Sequence, residues 1–237
     1  MQKIITYETL RNFAYSNDHC IEGEIRGILL SFRGLGYANM ATRDEGDALE
    51  YAAKGILYII PYYNPWAWMN RQTVDYVDEI IDVLCQHYSL PQNIKIVSTG
   101  GSMGGLCALT YTAYAKRTPC ACVTNCPVCD LPYHFTERPD LPRTLYSAFG
   151  TYEGTIEDAL RSASPLHLAE KMPDIPYTIF HCDHDQSVNL EKHSMRFVEA
   201  MTPNHDVTLH VIPLRGHCDL SAEVNLEYVK TILRAFE

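Results

Sequence analysis

The sequence predicts an α/β fold in which a mostly parallel central sheet carries helices on both faces. Short apolar runs alternate with amphipathic stretches from about residue 25 onward, and this alternation is typical of βαβ units. A chain of 237 residues with 46% hydrophobic and 20% charged residues can bury a large core. Because no linker-like change in composition divides the chain, we interpret residues 1–237 as a single domain.

Six strands are expected after residue 24, and each is a short apolar run. They are Ile25–Phe32, Gly55–Ile60, Ile94–Ser98, Ala121–Thr124, Tyr177–Phe180 and Val207–Val211. The less regular stretch Met1–Glu24 is expected to add antiparallel edge strands.

Five helices are expected between and after these strands. Apolar residues recur at steps of three and four from Val74 to Tyr88, which indicates an amphipathic helix. The other helices are Thr42–Lys54, Leu106–Ala115, Asn189–Met201 and a final helix marked by Val224, Tyr228 and Ile232.

One segment, about 130–165, interrupts the alternation. It contains four prolines and five aromatic residues, and loops of this length are uncommon unless they are functional. Two interpretations remain open: a small cap-like insertion over the carboxyl edge of the sheet, or a surface excursion with a small core of its own.

Charge and hydropathy exclude several classes of partner. The formal net charge of −10 would repel nucleic-acid phosphates, so we expect no nucleic-acid partner. No apolar stretch approaches the roughly 20 residues needed to span a bilayer, and the N-terminus lacks the apolar region of a signal peptide. We therefore expect a cytoplasmic protein without membrane association.

Nine cysteines are present, and in a cytosol they are expected to stay reduced. The cluster C-A-C-V-T-N-C-P-V-C, Cys120–Cys129, invites a zinc interpretation, and Cys126 with Cys129 a redox one. Zinc sites usually show two cysteine pairs separated by a longer loop. We therefore favour structural thiols and expect no metal.

A candidate nucleophile lies in Gly100-Gly101-Ser102-Met103-Gly104, which fits the pattern G-x-S-x-G. An expected strand precedes it and an expected helix follows, as in a nucleophile elbow. In that turn the hydroxyl of Ser102 stands above the strand ends, and the helix N-terminus faces the developing oxyanion. The alternative is a glycine-rich phosphate-binding turn, but the Gly-Lys-Ser/Thr of a P-loop and the spacing of a dinucleotide fingerprint are both missing.

A serine needs a base and an orienting acid, which in this architecture follow it along the chain. We select His217 as the base, because it lies just past the last strand after Gly216. The other downstream histidines fit other places: His210 within a strand, His181 and His184 beside the acid, and His193 on a helix. For the acid, Asp185 competes with Asp183 and Asp130, and we favour Asp185.

These residues resemble a family. The set looks like the α/β-hydrolase fold and, more narrowly, the catalytic domain of the prolyl oligopeptidase family and its small esterase relatives. The family's acid loop commonly reads H-G-x-x-D-x-x-V-P, and residues 181–189 here read H-C-D-H-D-Q-S-V-N, which places the acid on Asp185. Ala163-Ser164-Pro165-Leu166 is similar to the family's S-P segment. The resemblance covers about Gly27 to the C-terminus.

The resemblance implies acyl transfer by Ser102, His217 and Asp185 without a cofactor. The first oxyanion donor would be the N–H of Met103. The family often has His-Gly-Gly in the second oxyanion loop, where this chain reads Phe32-Arg33-Gly34-Leu35-Gly36. The second donor is therefore expected from Gly34 or Leu35. Arg33 would orient this loop or meet an anionic substrate, or it is a structural arginine.

A second departure is Cys182, which replaces the usual glycine of the acid loop. Together with Cys218 it puts two thiols beside the expected catalytic loops. Oxidation of these thiols would then silence the activity.

The sequence says less about the substrate than about the fold or the catalytic residues. Tyr63, Trp66 and Trp68 follow the second strand and would either bind an apolar, aromatic or sugar group or fill a hydrophobic gap. The family's peptidases carry a large β-propeller, for which 237 residues leave no room, so we favour a serine esterase acting on a small ester. A small peptidase acting on a short peptide and a non-catalytic binding protein remain alternatives, and a homodimer is compatible with the sequence.

Overall fold

The computed structural model describes residues 5–41, 43–44 and 46–237. Seven strands form one sheet in the order β1-β3-β2-β4-β5-β6-β7. β1 runs antiparallel to β3, and the other neighbouring strands are parallel. The expected mostly parallel sheet is confirmed. The strands are β1 (Ala14–Ser16), β2 (Gly27–Phe32), β3 (Ile56–Pro61), β4 (Lys95–Gly101), β5 (Ala121–Asn125), β6 (Tyr177–Cys182) and β7 (Val207–Ile212).

Helices connect the parallel strands. The main ones are α1 (Gly46–Ala53), α2 (Arg71–His87), α3 (Met103–Tyr114), α8 (Arg196–Met201) and α9 (Ala222–Arg234). A π-helical turn, Glu191–Met195, runs directly into α8, so the expected helix from Asn189 to Met201 contains two helix types. Of the expected helix Thr42–Lys54, Thr42 and Glu45 lie outside the described residues.

Each face of the sheet has its own core. On one face α2, α3 and α8 bury a large cluster that includes Val77, Leu109 and Phe197. On the other face Tyr51 of α1 and Ile232 of α9 pack in a smaller cluster with the sheet. No helix of the described residues has the length and apolar content needed to cross a membrane.

Four short helices fill the segment between β5 and β6, namely α4 (Leu131–Glu137), α5 (Leu141–Phe149), α6 (Ile156–Ser162) and α7 (Pro165–Leu168). His193 joins this segment to the π-helical turn. Its Nδ1 accepts the backbone N–H groups of Cys129 and Asp130 at 3.1 Å each, and its Nε2 donates to Glu137 at 2.9 Å. His193 is therefore a structural residue here, in a fixed neutral tautomer.

β4 extends three residues beyond the apolar run Ile94–Ser98, because its two glycines continue the ladder. Gly100 pairs with Phe32 of β2 and with Thr124 of β5. The strand thus carries the chain to the carboxyl edge of the sheet, immediately before Ser102.

Candidate active site

Ser102 lies in a strained turn between β4 and α3. Its φ is +58°, in the left-handed region that a residue with a Cβ rarely adopts. The flanking glycines make room for this turn: a Cβ built at Gly100 would overlap the carbonyl of Gly104, and one at Gly104 would overlap the carbonyl oxygen of Phe32. The strained serine between close-packed glycines is the geometry of a nucleophile elbow.

An acid–base pair lies on two neighbouring loops after β6 and β7. His217 Nδ1 donates to Asp185 Oδ2 at 2.6 Å. The other carboxylate oxygen of Asp185 accepts the backbone N–H groups of Ser187 at 2.8 Å and Val188 at 2.9 Å. The carboxylate is therefore fixed by its own loop and presents one oxygen to the imidazole.

Electrostatics support the charged form of this pair. Burial raises the pKa of Asp185, but the hydrogen bond from His217 and those from its own loop outweigh burial and hold that pKa below its usual value. Burial also lowers the pKa of His217, but the hydrogen bond and negative charge of Asp185 outweigh this and raise it. An imidazolium that forms at His217 is thus stabilised by Asp185.

The two competing carboxylates have other partners. Asp183 is bonded to His184 at 2.6 Å and accepts the backbone N–H of Leu214. Asp130 caps α4 and forms an ion pair with Arg196 at 2.5 Å. Of the three candidate acids, Asp185 is the one bonded to His217.

His181, which also lies close to Asp185, is held neutral. Its Nε2 donates to the carbonyl of Val188 at 3.0 Å and its Nδ1 accepts the hydroxyl of Ser194 at 2.7 Å. Burial lowers its pKa to about 4. The 3.6 Å between His181 Nε2 and the carboxylate of Asp185 is therefore a contact between a neutral ring and an anion.

Ser102 and His217 line the same open cleft, which has a volume of about 630 Å³. Both residues are described by the structure, and no hydrogen bond joins their side chains. His217 Nε2 instead lies 3.8 Å from Cys218 Sγ. Catalytic hydrogen bonds of this kind commonly tighten only when substrate is bound.

The expected oxyanion donors lie beside Ser102. Met103 begins α3, so its N–H is one of the unpaired donors of a helix N-terminus. Gly34 and Leu35 line the cleft, and neither of their backbone N–H groups donates to an acceptor within the described residues. These groups are free to bind a developing negative charge.

The three aromatic residues expected to bind substrate lie outside this cleft. Trp68 is completely buried, and its Nε1 donates to Thr144 at 3.0 Å. The hydroxyl of Tyr63 donates to the carbonyl of Arg33 at 2.8 Å. Trp66 is 45% exposed and lines a separate depression with Tyr63. Hydrogen bonds from Trp68 to Thr144 and from Asn70 to Ala148 hold their chain segment against α5.

A thiol cluster lies beside the acid–base pair. Cys126 Sγ accepts the backbone N–H groups of Cys182 and Cys218 at 3.4 Å each. Ligand atoms of Cys126, His217 and Cys218 lie within 4.8 Å of one another. Within the described residues, the clusters of this kind do not include Cys120, Cys122 or Cys129.

The cleft also contains residues that sequence reasoning did not select. The residues are Arg138 of the segment between β5 and β6, Asp47 of α1, and Asn225 and Tyr228 of α9. No motif marks them, since they come to this cleft only through the packing of elements distant in the chain.

Comparison with known proteins gives a family and a fold. A model of the prolyl oligopeptidase family matches residues 66–236. No protein of curated function matches the sequence.

Solved structures of peptidases and esterases are similar to more than nine-tenths of the chain. A puromycin-hydrolysing peptidase of Mycobacterium tuberculosis aligns with a TM-score of 0.74 and 17% identity over 91% of this chain and 34% of that chain. An acylaminoacyl peptidase of Pyrococcus horikoshii aligns with a TM-score of 0.70 and 15% identity over 92% of this chain and 39% of that chain. The esterase Est2 of Thermogutta terrifontis aligns with a TM-score of 0.64 and 22% identity over 94% of this chain and 84% of that chain.

The chain thus spans little more than a third of the length of these peptidases. At these identities the likeness shows the fold alone. The α/β-hydrolase fold predicted from the sequence is confirmed.

Proposed function

Because this chain belongs to the prolyl oligopeptidase family of serine hydrolases, we propose that it cleaves a small carboxylic ester through an acyl-enzyme on Ser102. The observation that carries this proposal is the 2.6 Å hydrogen bond between His217 and Asp185. His217 lines the same cleft as Ser102, which lies in a strained turn.

The proposed reaction has two halves. Ser102 Oγ attacks the ester carbonyl while its proton passes to His217 Nε2, and Asp185 stabilises the resulting imidazolium. The N–H of Met103 and one from Gly34 or Leu35 bind the oxyanion. The leaving alcohol takes the proton from Nε2. Water then attacks the acyl-enzyme, gives its proton to Nε2 and releases the carboxylic acid, and the proton returns to Ser102.

A peptidase is the second candidate, and one residue favours it. The carboxylate of Asp47 lines the cleft, and it forms no ion pair with any residue that the structure describes. An acidic group in that position would bind the ammonium group of a peptide N-terminus. Turnover of an aminoacyl p-nitroanilide that exceeds turnover of p-nitrophenyl acetate, and that falls in Asp47→Asn, would favour the peptidase.

Intact-protein mass after fluorophosphonate treatment tests the nucleophile. We expect one adduct on the wild type and none on Ser102→Ala, with loss of p-nitrophenyl acetate turnover in the variant. Ser187→Ala is the matched control, because Ser187 lines the same cleft and its variant should still gain the adduct. A folded wild type without an adduct would contradict the proposal and favour a non-catalytic binding protein.

A further inference from the structure

Arg33 differs from the other arginines of this chain in its environment. Eight of the twelve arginines form ion pairs with carboxylates. Of the four without an ion pair among the described residues, three are solvent-exposed, namely Arg26, Arg43 and Arg143. Arg33 is half-buried, and its Nε is fully buried without a hydrogen-bond acceptor in the part of the chain that the structure describes.

The position of Arg33 is fixed by its neighbours. Its carbonyl accepts the hydroxyl of Tyr63 at 2.8 Å and lies against Gly104 at the start of α3. Its guanidinium carbon lies 4.5 Å from the centre of the Tyr37 ring, in a cation–π contact. Arg33 is thus held directly beside Gly34, one of the two candidates for the second oxyanion donor, and lines the cleft that contains Ser102.

Arg33 is the arginine of this cleft that has no ion pair among the described residues. Arg138 is held in a two-point ion pair with Asp140, at 3.0 Å and 2.5 Å. Asp47 also lines the cleft, but no ion pair joins it to Arg33. A planar guanidinium whose Nε has no acceptor among the described residues fits a carboxylate, which can accept two parallel N–H bonds.

We infer that Arg33 binds an anionic group of the substrate, so that the preferred esters carry a carboxylate a few bonds from the scissile carbonyl. This inference rests on the proposed esterase function and names its substrate class. The ordering of Arg33 before substrate arrives reduces the entropy lost on binding.

A charge series of methyl esters tests the inference. Monomethyl glutarate, methyl pentanoate and methyl 4-(trimethylammonio)butanoate place a negative, a neutral and a positive group at a similar distance from the carbonyl. Acid release at constant pH gives kcat/KM for each ester. We expect the carboxylate ester to be the best substrate, and its kcat/KM relative to the neutral ester to fall about 10- to 100-fold in Arg33→Gln.

The ratio of the two rates is the readout, because it cancels any distortion of the neighbouring oxyanion loop. Arg26→Gln is the matched control: Arg26 precedes β2 as Arg33 follows it, and it is exposed. We expect the ratio to be unchanged in this variant. A ratio that Arg33→Gln leaves unchanged, or a preference for the cationic ester, would overturn the inference.

Binding of glutarate to Ser102→Ala separates this inference from the proposed function. Calorimetry should detect glutarate on this variant and at least tenfold weaker binding once Arg33→Gln is added. If the wild type forms no fluorophosphonate adduct, the esterase proposal fails, yet this titration still decides whether Arg33 binds anions. Equal affinity in the presence and absence of Arg33 would refute the anion site alone.

Discussion

His217 and Asp185 are 32 residues apart in the chain, yet His217 Nδ1 and Asp185 Oδ2 lie 2.6 Å apart. The parallel pairing of β6 with β7 brings their two loops together, because Cys182 and Ile212 are partners at the ends of these strands. The hydrogen bond fixes the imidazole so that its other nitrogen faces the cleft. The relationship accounts for the choice of His217 as the proposed base.

Replacement of Asp185 by asparagine should remove this orientation. The amide can no longer stabilise an imidazolium, and it favours the wrong tautomer of His217. We expect kcat/KM for p-nitrophenyl acetate to fall about 10³- to 10⁴-fold, with little change in KM. The measurement is steady-state kinetics on the folded variant.

Asp183→Asn is the control for this prediction. Asp183 lies on the same loop but is bonded to the exposed His184. Its variant should keep kcat/KM within a few-fold of the wild type. An equal loss in both variants would assign the effect to disruption of the loop.

The pH dependence of kcat/KM should report His217. The base must be neutral to accept the proton of Ser102, and the net effect of its surroundings is to raise its pKa above the usual value of about 6.5. Activity should therefore be lost as pH falls through a midpoint above that value.

The residual activity of Asp185→Asn should be lost at a lower pH than the activity of the wild type. Burial, which lowers the pKa of His217, remains in the variant, whereas the hydrogen bond and charge that raise it are gone. If the midpoint pH of this loss is the same in both proteins, a group other than His217 controls it.

Gly104 should be intolerant of a side chain. A Cβ there would overlap the carbonyl oxygen of Phe32, a backbone atom that cannot move aside as a flexible side chain could. We expect Gly104→Ala to lower the free energy of unfolding by about 1–3 kcal/mol and to displace the turn of Ser102. Denaturant unfolding provides the measurement. Gly216→Ala is the stability control, since a Cβ at Gly216 meets no atom within 4 Å.

Local patterns predicted most of the sheet and the elements of the proposed site. The G-x-S-x-G turn and the loops after the last two strands carry their own signals, so the sequence alone indicates Ser102, Asp185 and His217. Tyr63, Trp66 and Trp68 show where such reasoning stops. Their position after a strand suggested the site, but the direction of the segment depends on α5, more than seventy residues later in the chain.

Arg33 is a second case in which a sequence pattern does not show the tertiary contacts of a residue. Its place after β2 could be read from the sequence, but the absence of a carboxylate partner among the described residues could not. Ion pairing depends on which acids the fold brings near, and the sequence contains 29 of them. The pairing state of a charged residue in this cleft therefore emerges only from the three-dimensional packing.

Cys218 should make the activity sensitive to thiol reagents. Its Sγ lies 3.8 Å from His217 Nε2, and the residue is partly exposed on the cleft. Methyl methanethiosulfonate adds an S-methyl group that would occupy the space into which Nε2 points. We expect more than tenfold loss of the wild-type activity, reversed by dithiothreitol, while Cys218→Ala keeps the activity it has before treatment. Cys20→Ala should stay as sensitive as the wild type, because Cys20, though also partly exposed, lies outside the cleft. Equal inactivation of Cys218→Ala would place the sensitive thiol elsewhere and leave the 3.8 Å contact without a role.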